Sequence, residues 1–330
     1  LYTNTTGAEN VAVGLQALYY NTTASSNTAV GSYALVANTT GTRNVAVGAH
    51  ALDASTTATN NSALGYLALS ANTTGEDNTA MGCYALDVNT TGGKNTGIGV
   101  AALSENTTGE KNTALGVYAL AGATTGDNNT AVGAYTLDAA VTGNYNTAVG
   151  AYCLGGNTSG ENNNALGYDA LGDNTTGANN VALGKSGLAA NTTGEMNVAV
   201  GNFALYANQT ASANVAVGHS ALTTNTTGLE NTAVGRRALS VNTTGYSNTS
   251  VGNDAGQSIT TGYNNLLLGS NAGRSTSPSG NLTTDYNVVC LGDNNIQNLY
   301  CADTSISSSD SRDKTDVTNF THGLSWVNQL

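Results

Sequence analysis

The chain has 330 residues but only two Phe, one Trp and one Pro against 41 Gly, so it lacks the large side chains of an ordinary globular core. Nine basic and 21 acidic residues give a net charge of −12, which argues against a phosphate-binding, nucleic-acid-type surface. No run is apolar over the roughly 18 residues that a membrane-spanning helix needs.

From Asn10 onward, one unit returns every 17 residues without an insertion. Its leading Asn falls at Asn10, Asn27, Asn44 and so on to Asn265, sixteen copies in all. The unit reads Asn-Thr-Ala-Val-Gly-x-x-Ala-Leu-x-x-Asn-Thr-Thr-Gly-x-x, and each position in it is a column below. Leu1 already stands in the Leu column, so the chain is expected to start mid-unit, with its true N-terminus upstream. A fixed period of this kind means one supersecondary unit added per repeat, stacked in one dimension. Such a stack is a rod, suited to reach and attachment.

Each unit opens on a strand signal. The second column is Val or Thr and the third Ala in nearly every copy, and the fourth is always apolar (Val13, Val30, Leu64, Met81, Ile98). Columns two and four share one strand face, and the β-branched content favours strand over helix. Gly follows in all sixteen copies, which predicts a positive φ or a backbone approach too close for a Cβ. The Ala-Leu pair predicts a second short strand. Asn-Thr-Thr-Gly predicts a tight corner, with the Asn columns forming hydrogen-bonded ladders. In the unit at Asn129, the expected structural residues are Asn129 in a ladder, Val132 in a small apolar interior, Gly133 at the turn and Leu137 in the second strand. The expected fold is an all-β parallel β-solenoid, or β-roll, of sixteen 17-residue repeats over residues 1–273. At about 4.8 Å per coil it would be about 77 Å long. One coil this thin buries little, so association of several chains is expected, with the apolar columns partly covered between them.

The unit resembles the head repeats of trimeric autotransporter adhesins, and that resemblance implies a homotrimer. Further on, Asn287-Val288-Val289-Cys290-Leu291-Gly292 and Leu299-Tyr300-Cys301 resemble the neck joining fibre to chaperone in tail fibres of cyanobacterial phages. Residues 305–314, Ser-Ile-Ser-Ser-Ser-Asp-Ser-Arg-Asp-Lys, followed by Thr315-Asp316-Val317, Gly323-Leu324 and Trp326-Val327, resemble the start of the endosialidase-type intramolecular chaperone domain. These resemblances imply a neck over 274–309, a truncated chaperone over 310–330, and self-cleavage of the Ser309-Asp310 bond. Ser309 would be the nucleophile and Lys314 the base, a pairing that makes chemical sense because a Ser hydroxyl needs an amine of lowered pKa to take its proton.

The implied function is a homotrimeric phage tail fibre shaft, located on the virion. Its partners would be a host cell-surface glycan or receptor and other tail or baseplate proteins, without nucleic acid. A bacterial trimeric surface adhesin is the alternative. An ice-binding solenoid is a remote third, since ice-binding faces usually carry Thr-x-Thr and the Thr pair here is adjacent.

The repeats hold no carboxylate pair at fixed register, so no activity on an outside substrate is expected. His50, His219 and His322 lie far apart in sequence, and neither a metal nor a cofactor is expected. The Asn-Thr-Thr triplets match the N-glycosylation sequon but have a structural explanation as corners. Tyr118, Tyr135 and Tyr152 occupy one column in consecutive units and could stack into a sugar-binding strip or simply cover the coil. Cys83 and Cys153 read as buried small apolar residues. Cys290 and Cys301 are close enough in sequence for a disulfide to remain open.

Overall fold

A computed structural model describes residues 1–139 and 141–298. Ser309, Lys314, Cys301 and the segment resembling a chaperone lie outside the described residues. The expected solenoid is present. Sixteen three-residue strands run from β1 (Val11–Val13) to β16 (Leu266–Leu268) at 17-residue intervals, and the described residues contain no helix. Each strand pairs in parallel with the next in fixed register, as in Val11 with Thr28 and Ala12 with Ala29. A seventeenth strand, β17 (Val289–Leu291), pairs with β16 through Leu266 and Val289, 23 residues apart rather than 17. The ladder therefore continues past residue 273, into the segment expected to be a neck.

The strand is turned the other way from the expectation for Val132. In Thr130–Val132 the middle residue, Ala131, is fully buried, while Thr130 and Val132 point outward and are part-exposed. The physical reason is thickness. The wall opposite the strand supplies Leu137, also fully buried, and that leaves room for a methyl group rather than a Val from the sheet. The core is thus a repeating stack of strand Ala and wall Leu, such as Ala46 with Leu52 and Ala80 with Leu86.

The Ala-Leu pair is also not a second strand. It forms a turn in every regular coil, and its Leu holds a left-handed backbone, with φ of 52° at Leu137. A left-handed non-glycine residue costs about 1 kcal/mol or more. Two things hold it there: complete burial of the side chain, and an inter-coil hydrogen bond from Leu137 N–H to the Cys153 carbonyl at 3.0 Å. Tyr135 (φ 54°) and Tyr145 (φ 60°) repeat the conformation in two other columns.

The glycine after the strand behaves as its invariance predicts. Gly133 has φ of 136°, and a Cβ built on it would stand 2.7 Å from the carbonyl carbon and oxygen of Gly150 in the next coil. Neighbouring coils approach there through backbone alone, closer than a real Cβ allows.

Both Asn columns form ladders inside the coil. Asn129 Nδ2 donates to the Gly143 carbonyl at 2.9 Å, and Asn129 Oδ1 accepts the Asn146 backbone N–H at 2.9 Å. In the second column Asn89 Nδ2 donates to Asn72 Oδ1 at 2.8 Å and to the Gly92 carbonyl at 3.0 Å. Asn78 Nδ2, from the first column, reaches the same Gly92 carbonyl at 2.9 Å, filling both lone pairs of one corner oxygen. These asparagines are the buried polar half of the core, and they are tolerated because, apart from Oδ1 of Asn38, Asn106 and Asn242, their polar atoms are paired.

The last coils exchange large and small side chains between strand, wall and ladder. Gly256 and Gly273 replace the wall Leu, while Leu267 replaces the strand Ala and Ile259 replaces a ladder Asn; both Leu267 and Ile259 are fully buried. Leu282, from the segment between β16 and β17, packs into the space beside Gly273.

Candidate functional site

Tyr118, Tyr135 and Tyr152 sit on the outside of three successive coils, at the left-handed position two residues after the glycine. That backbone places each ring over the next. Tyr118 and Tyr135 are 5.4 Å apart at 13°, and Tyr135 and Tyr152 are 5.5 Å apart at 4°. The stack has a chemical consequence that the sugar-strip expectation did not include. Both faces of Tyr135 are covered by its neighbours, so the strip offers solvent its ring edges and hydroxyls rather than its apolar faces. Tyr168 closes the far end edge-on, 5.8 Å from Tyr152.

A second stack escaped the sequence. Tyr246, Tyr263 and Tyr286 lie at 4.9 and 5.0 Å with interplanar angles of 2° and 3°. The 17-residue spacing of the first two was a visible signal; the third is displaced to 23 by the longer last coil. Tyr33 stacks on His50 at 5.1 Å in the column of the first stack, and His50 Nδ1 is 2.9 Å from Asp53 Oδ2.

The outward face of the sheet is apolar along the rod. Its fourth column runs Val13, Val30, Val47, Leu64, Met81, Ile98, Leu115 and on to Leu268 and Leu291, in register along the whole rod. Exposed Val11, Leu15, Val45, Val100 and Val117 flank it. Seventeen part-exposed apolar side chains amount to a stripe on the order of 1,000 Å², against about 300–600 Å² for the largest patch of a typical monomer.

The threonine corners divide their labour. Thr39 Oγ1 donates to the Thr56 carbonyl at 3.1 Å, and Thr107 Oγ1 to Thr124 at 2.9 Å. The following residues, such as Thr40, Thr74 and Thr108, are exposed. Sequon asparagines such as Asn38, Asn72 and Asn89 are fully buried, with Nδ2 committed to the ladder, so the folded corner does not present them for glycosylation.

Cys153 is buried as expected, and burial pushes its thiol up to about 12, so it stays protonated and unreactive. Cys83 is the correction: it stands exposed in the column after the glycine, which faces outward. Burial also raises the carboxyls of Asp87, Asp138 and Asp169 above the usual range, with Glu105 adding to the rise at Asp87 and Asp173 at Asp169. Asp254 is shifted the opposite way, chiefly by its hydrogen bond from Arg237.

No family model and no curated protein matches this chain.

Proposed function

We propose that this chain is the shaft of a homotrimeric attachment fibre, of the phage tail-fibre class, carried on the outside of a virion. The observation behind it is the unbroken apolar stripe on the outward sheet face. A lone rod would leave that stripe in water along its whole length, at a cost that scales with its area. Parallel copies of the same rod cover it with the least new structure, because the stripe has the same period on every copy. The number three, the viral setting and the host receptor come from the resemblance of the repeats to trimeric adhesin heads and of the C-terminal segment to a fibre chaperone. A bacterial surface adhesin would use the same shaft and the same stripe.

Maturation is part of the proposal. On the chaperone resemblance, once assembly has brought the chains together, Lys314 takes the proton of the Ser309 hydroxyl, whose oxygen attacks the carbonyl of the Ser309–Asp310 bond of a neighbouring chain; the Asp310 amine leaves with that proton, and water hydrolyses the resulting ester. Light scattering of the purified chain should give three chain masses, and a stable, folded monomer would overturn the fibre reading. Protein carrying a complete chaperone domain should run as two fragments, and Ser309→Ala or Lys314→Ala should leave it whole. Efficient cleavage of the Ser309→Ala variant would point to an outside protease instead.

A further inference from the structure

Three of the nine basic residues of this acidic chain converge on one carboxylate near the C-terminal end of the solenoid. Asp254 is almost covered, with 7% of its side chain exposed. Its oxygens are already satisfied at short range. Arg237 Nε donates to Oδ1 at 2.7 Å and Arg237 Nη2 to Oδ2 at 3.1 Å, while Asn253 Nδ2 donates to Oδ2 at 3.0 Å. Arg237 and Asp254 thus form a complete bidentate pair between neighbouring coils.

Arg236 and Arg274 are left over. Each has a guanidinium nitrogen 3.7 Å from the same Asp254 oxygen, too far for a hydrogen bond. Arg236 spends its Nε on Asn253 Oδ1 at 3.1 Å, and Arg274 spends Nη1 on Asn271 Oδ1 at 2.9 Å. Among the described residues, their other N–H groups have no acceptor. The nearby carboxylate of Asp293 is engaged with Asn295, through its backbone N–H at 3.0 Å and Nδ2 at 3.1 Å, and lies 3.5 Å from Asn271 Nδ2. Three guanidinium groups against two carboxylates leave a net positive spot on a molecule of net charge −12.

Arg236 and Arg274 share one counter-ion, Asp254 Oδ2, at 3.7 Å from each, and the three hydrogen bonds of that carboxylate all come from other groups, so both guanidinium groups keep N–H donors for a second anion. The fork of N–H donors on a guanidinium matches the oxygens of a carboxylate or phosphate. We infer that Arg236 and Arg274 form an oxyanion-binding site, with the Arg237–Asp254 pair as its rigid floor. Asn253 and Asn271 orient the two free guanidinium groups from successive coils. The ligand chemistry is a carboxylate or phosphate borne on a saccharide. This rests on the attachment reading only for the origin of the saccharide, a host surface polymer; the site itself does not depend on it.

The test is titration calorimetry at low salt on the full chain with three probes: a trigalacturonate, a neutral trisaccharide of similar size and inorganic phosphate. The site predicts saturable binding of trigalacturonate, of phosphate or of both, and which of them binds identifies the anion. It also predicts little heat from the neutral sugar. The double variant Arg236→Gln, Arg274→Gln should weaken anion binding at least tenfold at an unchanged melting temperature, because the Arg237–Asp254 pair remains. Absence of saturable binding by either anion overturns the inference. So does equal binding of the neutral sugar, or equal anion binding by the double variant. If the chain proves monomeric while anion binding is lost in the variant, the fibre reading fails and the site stands.

Discussion

Asn38 donates its side-chain amide to Asn21 Oδ1 at 2.9 Å, but its own buried Oδ1 meets no donor, because the next residue in the column is Ser55. The same break recurs wherever the column changes. Asn106 Oδ1 is unpaired where Ala123 follows, and Asn242 Oδ1 where Ile259 follows. Ser55 Oγ is itself buried without a partner. The ladder is therefore a cooperative element whose interruptions leave identifiable unpaired groups.

Ser55→Asn should close one interruption. The new amide would donate to Asn38 Oδ1 and offer an acceptor to Asn72 Nδ2. A gain of about 1 kcal/mol is expected, the net worth of a hydrogen bond that also relieves a buried orphan. Asn89→Ala, in the middle of an intact run, should cost about 1–3 kcal/mol for the donor and acceptor it strands. Thermal unfolding of both variants checks the pair, and opposite signs are expected.

Gly133→Val should destabilise by roughly 1 kcal/mol or more, from backbone strain and the clash with the Gly150 carbonyl. A neutral melting shift would mean that the coils can part locally without loss.

Ala131→Asp and Val132→Asp, adjacent substitutions of the same charge, should behave differently. Ala131 is sealed in the coil, so Ala131→Asp buries a charge with no partner and should unfold the rod locally. Val132 faces outward, so Val132→Asp should leave the β-signal of the coil intact and weaken association instead. Circular dichroism with light scattering separates the two.

The melting temperature should pass through a maximum as pH falls. Asp87, Asp138 and Asp169 have carboxyls raised by burial, so each disfavours the folded state when ionised. That penalty is present above the folded pKa and disappears as pH falls towards the unfolded value near 3.8. Asp254 is lowered, so its stabilisation is present above 3.8 and is lost as pH falls through its folded pKa. Melting should rise from neutral pH into mild acid and drop in stronger acid, and Asp254→Asn should blunt the drop.

The period, the glycine turn and the Asn ladders were legible in the sequence, because each depends on one residue type recurring at one spacing. The inside and outside of the strand were not. Val is more apolar than Ala, so hydrophobicity alone puts Val132 inside, whereas the thickness set by Leu137 admits only Ala131. The left-handed Leu137 was hidden because no Gly marks it; packing and an inter-coil hydrogen bond hold that conformation instead. Strand β17 and the Tyr286 ring were missed because six extra residues break the period before them. The tyrosine column was readable as a stack, but not the fact that stacking covers both faces of Tyr135. Ser309 and Lys314 were legible through sequence resemblance and lie outside the described residues.

The chain carries its own probe of the apolar stripe. It has two methionines: Met81 lies in the outward fourth column of the sheet, 42% exposed on the single rod, and Met196 lies in the corner before a strand, 57% exposed. Dilute hydrogen peroxide converts accessible Met to the sulfoxide, and peptide mass spectrometry reads each site separately. If copies of the rod cover the stripe, Met196 should oxidise while Met81 stays protected until the assembly is taken apart. Comparable oxidation of Met81 and Met196 in the native protein would show the sheet face open to solvent and contradict the proposed assembly.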